Sequence, residues 1–275
     1  MLKQLTPSEL IVNKDGSVYH LGLLPSHVYP TVITVGDPDR VDEVSKYFDK
    51  IDFEIQNREF KTVGGACLGK KITVISTGIG TDNIDIVFNE LAFLVNYDLK
   101  TLKPFKTQTS IDIIRLGTSG SISSENELNS IVYSKNVVSL DDLFQYYDHS
   151  FDIVRFADLN VPVIDCSSSL EEKFKQRFNP SLTITAKGFY GPQFRNAQIQ
   201  PKYSLEDVYR VSYEGVSAGN IEMETAGIYG LAKLLGFQAI SINAILADRR
   251  SNEFSKNPQE TIQQMIKESL ELICK

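Results

Sequence analysis

This chain has little that suits a disulfide-bonded exterior, a lipid bilayer or a polyanion. Only three of its 275 residues are cysteines, Cys67, Cys166 and Cys274. They are odd in number, far apart and without metal-ligand spacing, which argues against a disulfide framework and for reduced thiols. No stretch approaches the ~20 consecutive apolar residues of a bilayer span. The opening residues MLKQLTPSEL carry no apolar leader core. Positive charge is in deficit: 28 Lys and Arg stand against 35 Asp and Glu, a net charge of −7. That balance argues against nucleic-acid and anionic-membrane partners. Internal repeats, low-complexity tracts and Pro/Gly/Ser linkers are also missing. The expectation is a cytoplasmic protein with a single domain over residues 1–275. An acidic protein that binds an anion must gather its arginines locally, so their positions carry information.

Apolar and polar runs alternate in a way that fits an α/β fold. TVITV (31–35), KITVIS (71–76), 111–116, 131–139, LTITAKG (182–188) and FQAISINAIL (237–246) read as buried strands. Pro38 begins a helix to about Phe48, since proline is favourable at a first helical position. Apolar residues at 84, 87, 88, 91 and 95 have helical spacing, with Thr81 or Asp82 as cap. Ser169 with Glu172 predicts a capping box before Leu170, Phe174 and Phe178. Residues 222–235 read as an apolar helix. Asn257, Pro258 and Glu260 open a last helix with Ile262, Met265, Ile266, Leu270 and Ile273 inward. The polar segment 97–110 reads as a surface excursion. A mixed sheet with helices on both sides accommodates all of this.

Five segments carry chemistry. In IRLGTSG (114–120) a strand runs into what reads as a turn, where Gly117 and Gly120 let backbone N–H groups approach an anion. Arg115 adds a guanidinium fork, and Thr118 and Ser119 add hydroxyls. The plain alternative is an ordinary strand-to-loop turn. GDPDR (36–40) joins a strand to a helix N-terminus and brings Arg40 with it; otherwise it is a simple connection. NREF (57–60) supplies Arg58 and Glu59, or just a surface ion pair. NIEMET (220–225) sets Glu222 and Glu224 at a helix start, where acids also complement the dipole. Residues i and i+2 do not share a helix face, so the two carboxylates should do different jobs. FYGPQFR (189–195) puts aromatics beside an amide and a guanidinium, suited to a flat heterocycle or to a core-anchored loop.

Together with VYHLGL (18–23), STGIG (76–80) and ADRRSNE (247–253), these motifs resemble, in order and spacing, the nucleoside phosphorylase superfamily, on its uridine phosphorylase side. The resemblance implies a phosphorylase/hydrolase-like three-layer α/β fold and an oligomer of dimers, a homodimer or a hexamer. It implies a phosphate site at Gly36, Arg40, Arg115 and Thr118, with Arg58 supplied by the neighbouring subunit. Glu224 would hold the ribose hydroxyls, Met223 would pack under the sugar, and the neighbour's His20 would touch the 5′ hydroxyl. Gln193 and Arg195 would read the base, with Arg249 beside them and Phe189 against the ring. Glu59, the carbonyl of Ile79 and Asn83 fall where some relatives hold a monovalent cation such as K+, with Asn83 replacing the usual Ser. No other cofactor is implied, and phosphate is a co-substrate.

The expected reaction is phosphorolysis of uridine to uracil and ribose 1-phosphate, in nucleoside salvage or catabolism. Asp248 complicates it, because purine-cleaving relatives carry an Asp there to protonate the base. The alternatives are a purine or broad-specificity phosphorylase, a hydrolytic nucleosidase and a non-catalytic nucleoside-binding module. His27 and His149 have no evident partner in the sequence.

Overall fold

Every residue of the first strand is buried, as befits a strand covered on both faces. The computed structural model describes residues 3–275. It begins with β1 (Thr31–Val35), α1 (Pro38–Ser45), β2 (Lys50–Asn57), β3 (Phe60–Cys67), β4 (Lys70–Ser76) and α2 (Thr81–Asn96). The short β5 (Tyr97–Asp98) and β6 (Lys103–Pro104) precede β7 (Asp112–Ser121), β8 (Ile131–Leu140), β9 (Asp152–Phe156) and β10 (Leu159–Asp165). Then follow α3 (Ser168–Phe174), β11 (Asn179–Ala186), α4 (Leu205–Tyr209), β12 (Ser212–Tyr213) and β13 (Val216–Glu222). The chain ends with α5 (Thr225–Leu235), β14 (Gln238–Asp248), β15 (Glu253–Phe254) and α6 (Pro258–Cys274).

β4, β1, β7 and β14 lie side by side and parallel, and β3 and β2 extend this edge antiparallel. At the other side the sheet closes on itself. β14 pairs antiparallel with β8, β8 parallel with β11, β11 parallel with β13, and β13 returns antiparallel to β7. The expected mixed sheet flanked by helices is what forms, with this five-stranded ring at one end. Helices α1, α5 and α6 pack on the strands, and α2 packs on α5. The inner face of α2, with Ile84, Val87, Phe88 and Leu91 fully buried, is worth roughly 1.5–3 kcal/mol per side chain. A second core of Val138, Leu182, Ile184, Ile221 and Phe194 lies on the β8–β11–β13 side. Among the described residues no helix is long and apolar enough to cross a membrane.

Several sequence expectations are corrected. The Gly117–Gly120 segment is not a turn: β7 runs straight through it, paired with β14 from Gly117↔Asn243 to Gly120↔Ala247. β14 pairs with the segment along its length and β13 joins it at Gly120, and this pairing overrides the turn propensity of a Gly/Ser run. Glu222 ends a strand that the sequence reading omitted, and the helix begins only at Thr225. Strands β2, β3, β9 and β10 also escaped it, because their exposed or glycine-rich faces break the apolar pattern. The Ser169–Glu172 box does not form. Ser167 is the N-cap, while Ser169 donates to Gln238 and Glu172 accepts from Lys175. Gly80, not Thr81 or Asp82, caps α2. The 97–110 excursion holds the β5–β6 hairpin and is pinned by Thr109 N–H to Asn96 Oδ1 at 2.6 Å.

Candidate active site

The end of β1 feeds Gly36 and Asp37 into α1, where Asp37 Oδ1 accepts the Asp39 N–H at 3.0 Å. That cap, with Pro38 at the first position, sets Arg40 on the opening turn. Its Nε is buried without a partner. Burial pushes the Arg40 pKa down, and nearby Arg115 pushes it further. A cation held in this way is a ready donor to an anionic ligand.

Arg115 points into the strand ring and is 6% exposed. Its Nη2 donates to Glu224 Oε2 at 2.5 Å and lies 3.1 Å from Glu222 Oε2. Its Nη1 donates to Asn243 Oδ1 at 2.8 Å. Burial works against its charge, but the two carboxylates outweigh that and hold its pKa above the ordinary arginine value. Gly117 makes the arrangement possible, since a Cβ there would lie 1.8 Å from Arg115 Nη1.

The two glutamates do divide their work, though both meet one guanidinium. Glu222 accepts the Glu224 and Thr225 N–H groups at 2.9 Å each and so caps α5. Glu224 reaches across to the Gly80 N–H at 2.8 Å. Gly80 can present that N–H because it sits at φ 91°, a left-handed conformation that glycine tolerates. Burial raises the Glu224 pKa, with Arg115 opposing.

Beyond β11, Phe194 takes φ 61° and packs its ring on Phe156 at 5.7 Å, which anchors the 189–195 loop to the second core. Arg195 lies over the Phe189 ring, 3.6 Å from its centroid, and donates to Gln193 Oε1 at 2.7 Å. One face of Phe189 is thereby covered by Arg195. Burial first, then Arg249, lowers the Arg195 pKa to about 10. Arg249 packs against Gly120 and donates to the Gln193 carbonyl at 3.1 Å.

One cleft of about 400 Å³ brings together Gly36, Arg40, Arg115, Thr118, Phe189, Gln193, Arg195, Met223 and Glu224, with Ile79 at its rim. Six other expected residues stand outside its lining. Arg58, at φ 56° in the β2–β3 turn, lies over the Tyr19 ring at 5.4 Å. His20, next to Tyr19, pairs with Glu90 at 2.6 Å. Asp248 turns to Arg250, accepting its N–H at 2.8 Å and its guanidinium at 3.0 Å. Glu59 and Asn83 close over Gly78. Arg249 supports the Gln193 loop from behind. Among the described residues no group of three His, Cys, Asp or Glu could hold a metal ion. His27 accepts the Leu24 N–H and His149 stacks on Phe151, so both are accounted for structurally. The sequence reading missed Asn243 and Phe194; the alternation of Ser241 and Asn243 inside an apolar run was the available signal for the first.

A profile of the phosphorylase superfamily matches residues 30–275. The chain belongs to the phosphorylase superfamily. Within it, the uridine phosphorylase of Thermococcus kodakarensis is 27% identical over the whole of this chain and 93% of that protein. A DeoD-type purine nucleoside phosphorylase of Buchnera aphidicola is 26% identical over 88% of this chain and 93% of its own length. A Trypanosoma brucei nucleoside phosphorylase that shows uridine phosphorylase activity superposes with a TM-score of 0.84 at 25% identity, covering 96% of this chain and 98% of that one. This superfamily member is a uridine phosphorylase-like pentosyltransferase. Purine and pyrimidine relatives stand at nearly equal identity, so the base must be argued from the cleft.

Proposed function

We propose that the protein cleaves uridine with inorganic phosphate, releasing uracil and ribose 1-phosphate in nucleoside salvage or catabolism. The observation that carries this reading is the Gln193–Arg195 pair in the same cleft as Arg40, Arg115 and Glu224. Gln193 gives its amide oxygen to Arg195, which turns its NH2 group out as a donor to a pyrimidine carbonyl.

Breaking the N-glycosidic bond leaves positive charge on the sugar and negative charge on the departing base. Glu224 faces the first. Its oxygens already accept from Gly80 and Arg115, and each keeps a further lone pair for a ribose hydroxyl. Arg195, a cation with no carboxylate partner among its hydrogen bonds, faces the second as a preorganised donor. Arg40, Arg115 and Thr118 hold phosphate against C1′, from the face opposite the leaving base, so configuration inverts. Holding both reactants on one scaffold contributes up to roughly 7–11 kcal/mol in favourable cases.

A neighbouring subunit completes the site with Arg58 and His20, in a homodimer or a hexamer, because both lie outside their own chain's cleft. Glu59, the Ile79 carbonyl and Asn83 are the candidates for K+. A cytoplasmic location fits the reduced thiols.

Asp248 bears on the purine alternative. Partial burial pushes its carboxyl up, but hydrogen bonds from Arg250 and Ser251 prevail and hold it below the ordinary aspartate range. A carboxylate so held is a poor proton donor to a purine, which supports the pyrimidine reading. The unpartnered Arg40 argues for phosphate over water as nucleophile. The test is turnover of uridine, inosine and adenosine by pure protein, with and without phosphate. Phosphate-dependent uracil release is expected. Release that ignored phosphate would sink phosphorolysis, and cleavage of inosine alone would sink the pyrimidine assignment.

A further inference from the structure

The strand ring is filled with polar side chains where an apolar filling would serve stability as well. Ser134 on β8, Thr183 on β11, Asn220 on β13 and Asn243 on β14 are wholly buried, and none of them lines the cleft. They form one continuous chain of hydrogen bonds. Arg115 Nη1 donates to Asn243 Oδ1 at 2.8 Å, and Asn243 Nδ2 donates to Ser134 Oγ at 3.0 Å. Ser134 Oγ meets Thr183 Oγ1 at 2.6 Å, Thr183 donates to Asn220 Oδ1 at 2.9 Å, and Asn220 Nδ2 donates to Ser119 Oγ at 2.9 Å.

The direction of these bonds is forced. Asn220 Oδ1 can only accept, so the Thr183 hydrogen is used there. Ser134 must then donate to Thr183, and its oxygen is left to accept from the Asn243 NH2. Asn243 is thereby fixed with its carbonyl toward Arg115; the reversed amide would set donor against donor at Arg115 and acceptor against acceptor at Ser134. The two glutamates grip only Nη2 of Arg115, and a planar guanidinium held at one nitrogen can still rotate about it. Asn243, with a longer contact to Ser241 Oγ at 3.4 Å beside it, supplies the second point that fixes its plane.

We propose that Asn243 is a positioning residue for Arg115, and that the Ser134–Thr183–Asn220 chain is the device that orients Asn243. Together they hold the Arg115 guanidinium fixed at the wall of the cleft where phosphate binds. The inference rests on the phosphorolysis reading, from which it takes the ligand. Buried polar chains act as units, so a change two bonds away is felt at the end.

The test is calorimetric titration of the folded protein with inorganic phosphate, beside KM values for phosphate and uridine. Asn243→Leu should weaken phosphate binding about ten-fold, the size of one hydrogen bond to a charged group. Thr183→Val keeps the shape of the side chain and removes only the hydroxyl. It should weaken phosphate about three- to ten-fold and leave the uridine KM within two-fold, while Thr183→Ser should restore wild-type phosphate binding. Thermal melts separate a folding defect from this pattern. Phosphate binding unchanged in Thr183→Val, or lost equally in Thr183→Ser, would overturn the relay while phosphorolysis stood. Failure of the wild-type protein to bind phosphate would remove the phosphorolysis reading and the relay with it.

Discussion

Replacing Gly117 with alanine tests the central feature of the site with a single methyl group. Gly117 is not among the residues with positive φ, so its backbone accepts alanine. On backbone grounds alone the change would stabilise by about 0.4–1 kcal/mol, through a less flexible unfolded chain. The site reverses that sign. The new Cβ would fall 1.8 Å from Arg115 Nη1 and 2.2 Å from Cζ, so either β7 shifts against β14 or the guanidinium leaves. Overpacking a filled core costs about 1–3 kcal/mol. Displacing Arg115 forfeits its bonds at 2.5 Å to Glu224 and 2.8 Å to Asn243, and breaking a buried ion pair costs about 3–5 kcal/mol. The cheaper route, a shift of β7, sets the outcome; less the backbone gain, it is a net loss of about 1–2 kcal/mol. For a chain of this size that lowers Tm by roughly 2–8 °C. Phosphate affinity should fall about ten-fold or more, since a shifted β7 carries Arg115 and Thr118 out of position. Urea unfolding followed by circular dichroism and phosphate calorimetry read the two effects. A variant within 0.5 kcal/mol of wild type that still bound phosphate normally would show that Gly117 does not make room for Arg115.

Three further outcomes follow from the same geometry. Arg195→Ala should lower uridine kcat/KM about 100-fold or more while phosphate affinity survives; a collapse of phosphate binding would invert the division of labour between the arginines. Asp248→Asn should leave uridine turnover within about three-fold, since an amide oxygen still accepts the Arg250 N–H; a large loss of inosine cleavage instead would reveal a purine enzyme. Asp52, hydrogen-bonded by Lys71, Tyr29 and Lys50, has its pKa held well below the ordinary aspartate value. Its stabilisation is therefore full above the unfolded pKa of about 3.9 and drains away as pH falls toward the folded value. Asp52→Asn should flatten that part of an acid titration of Tm, and an unchanged acid limb would mean that the Asp52 cluster is not maintained in solution.

The sequence determined those parts of this protein that depend on local pattern. The buried runs that became β1, β4 and β14, and the inner faces of α2 and α6, could be read because burial on one or both sides writes a period into the chain. Arg40 could be placed because a cap and a proline fix a helix start within four residues. The cleft residues Gly36, Arg115, Thr118, Gln193, Arg195 and Glu224 were legible by resemblance, as a set in order. Only the tertiary structure could decide the rest. Whether Gly117–Gly120 bends or runs straight depends on partners more than a hundred residues away in β13 and β14. Glu222 and Asn243 matter because the sheet closes into a ring, and closure is a long-range event that no local window contains. Asp248 and Arg195 have comparable chemistry on paper as groups that could face a base. Packing sent one toward Arg250 and the other over Phe189 into the cleft.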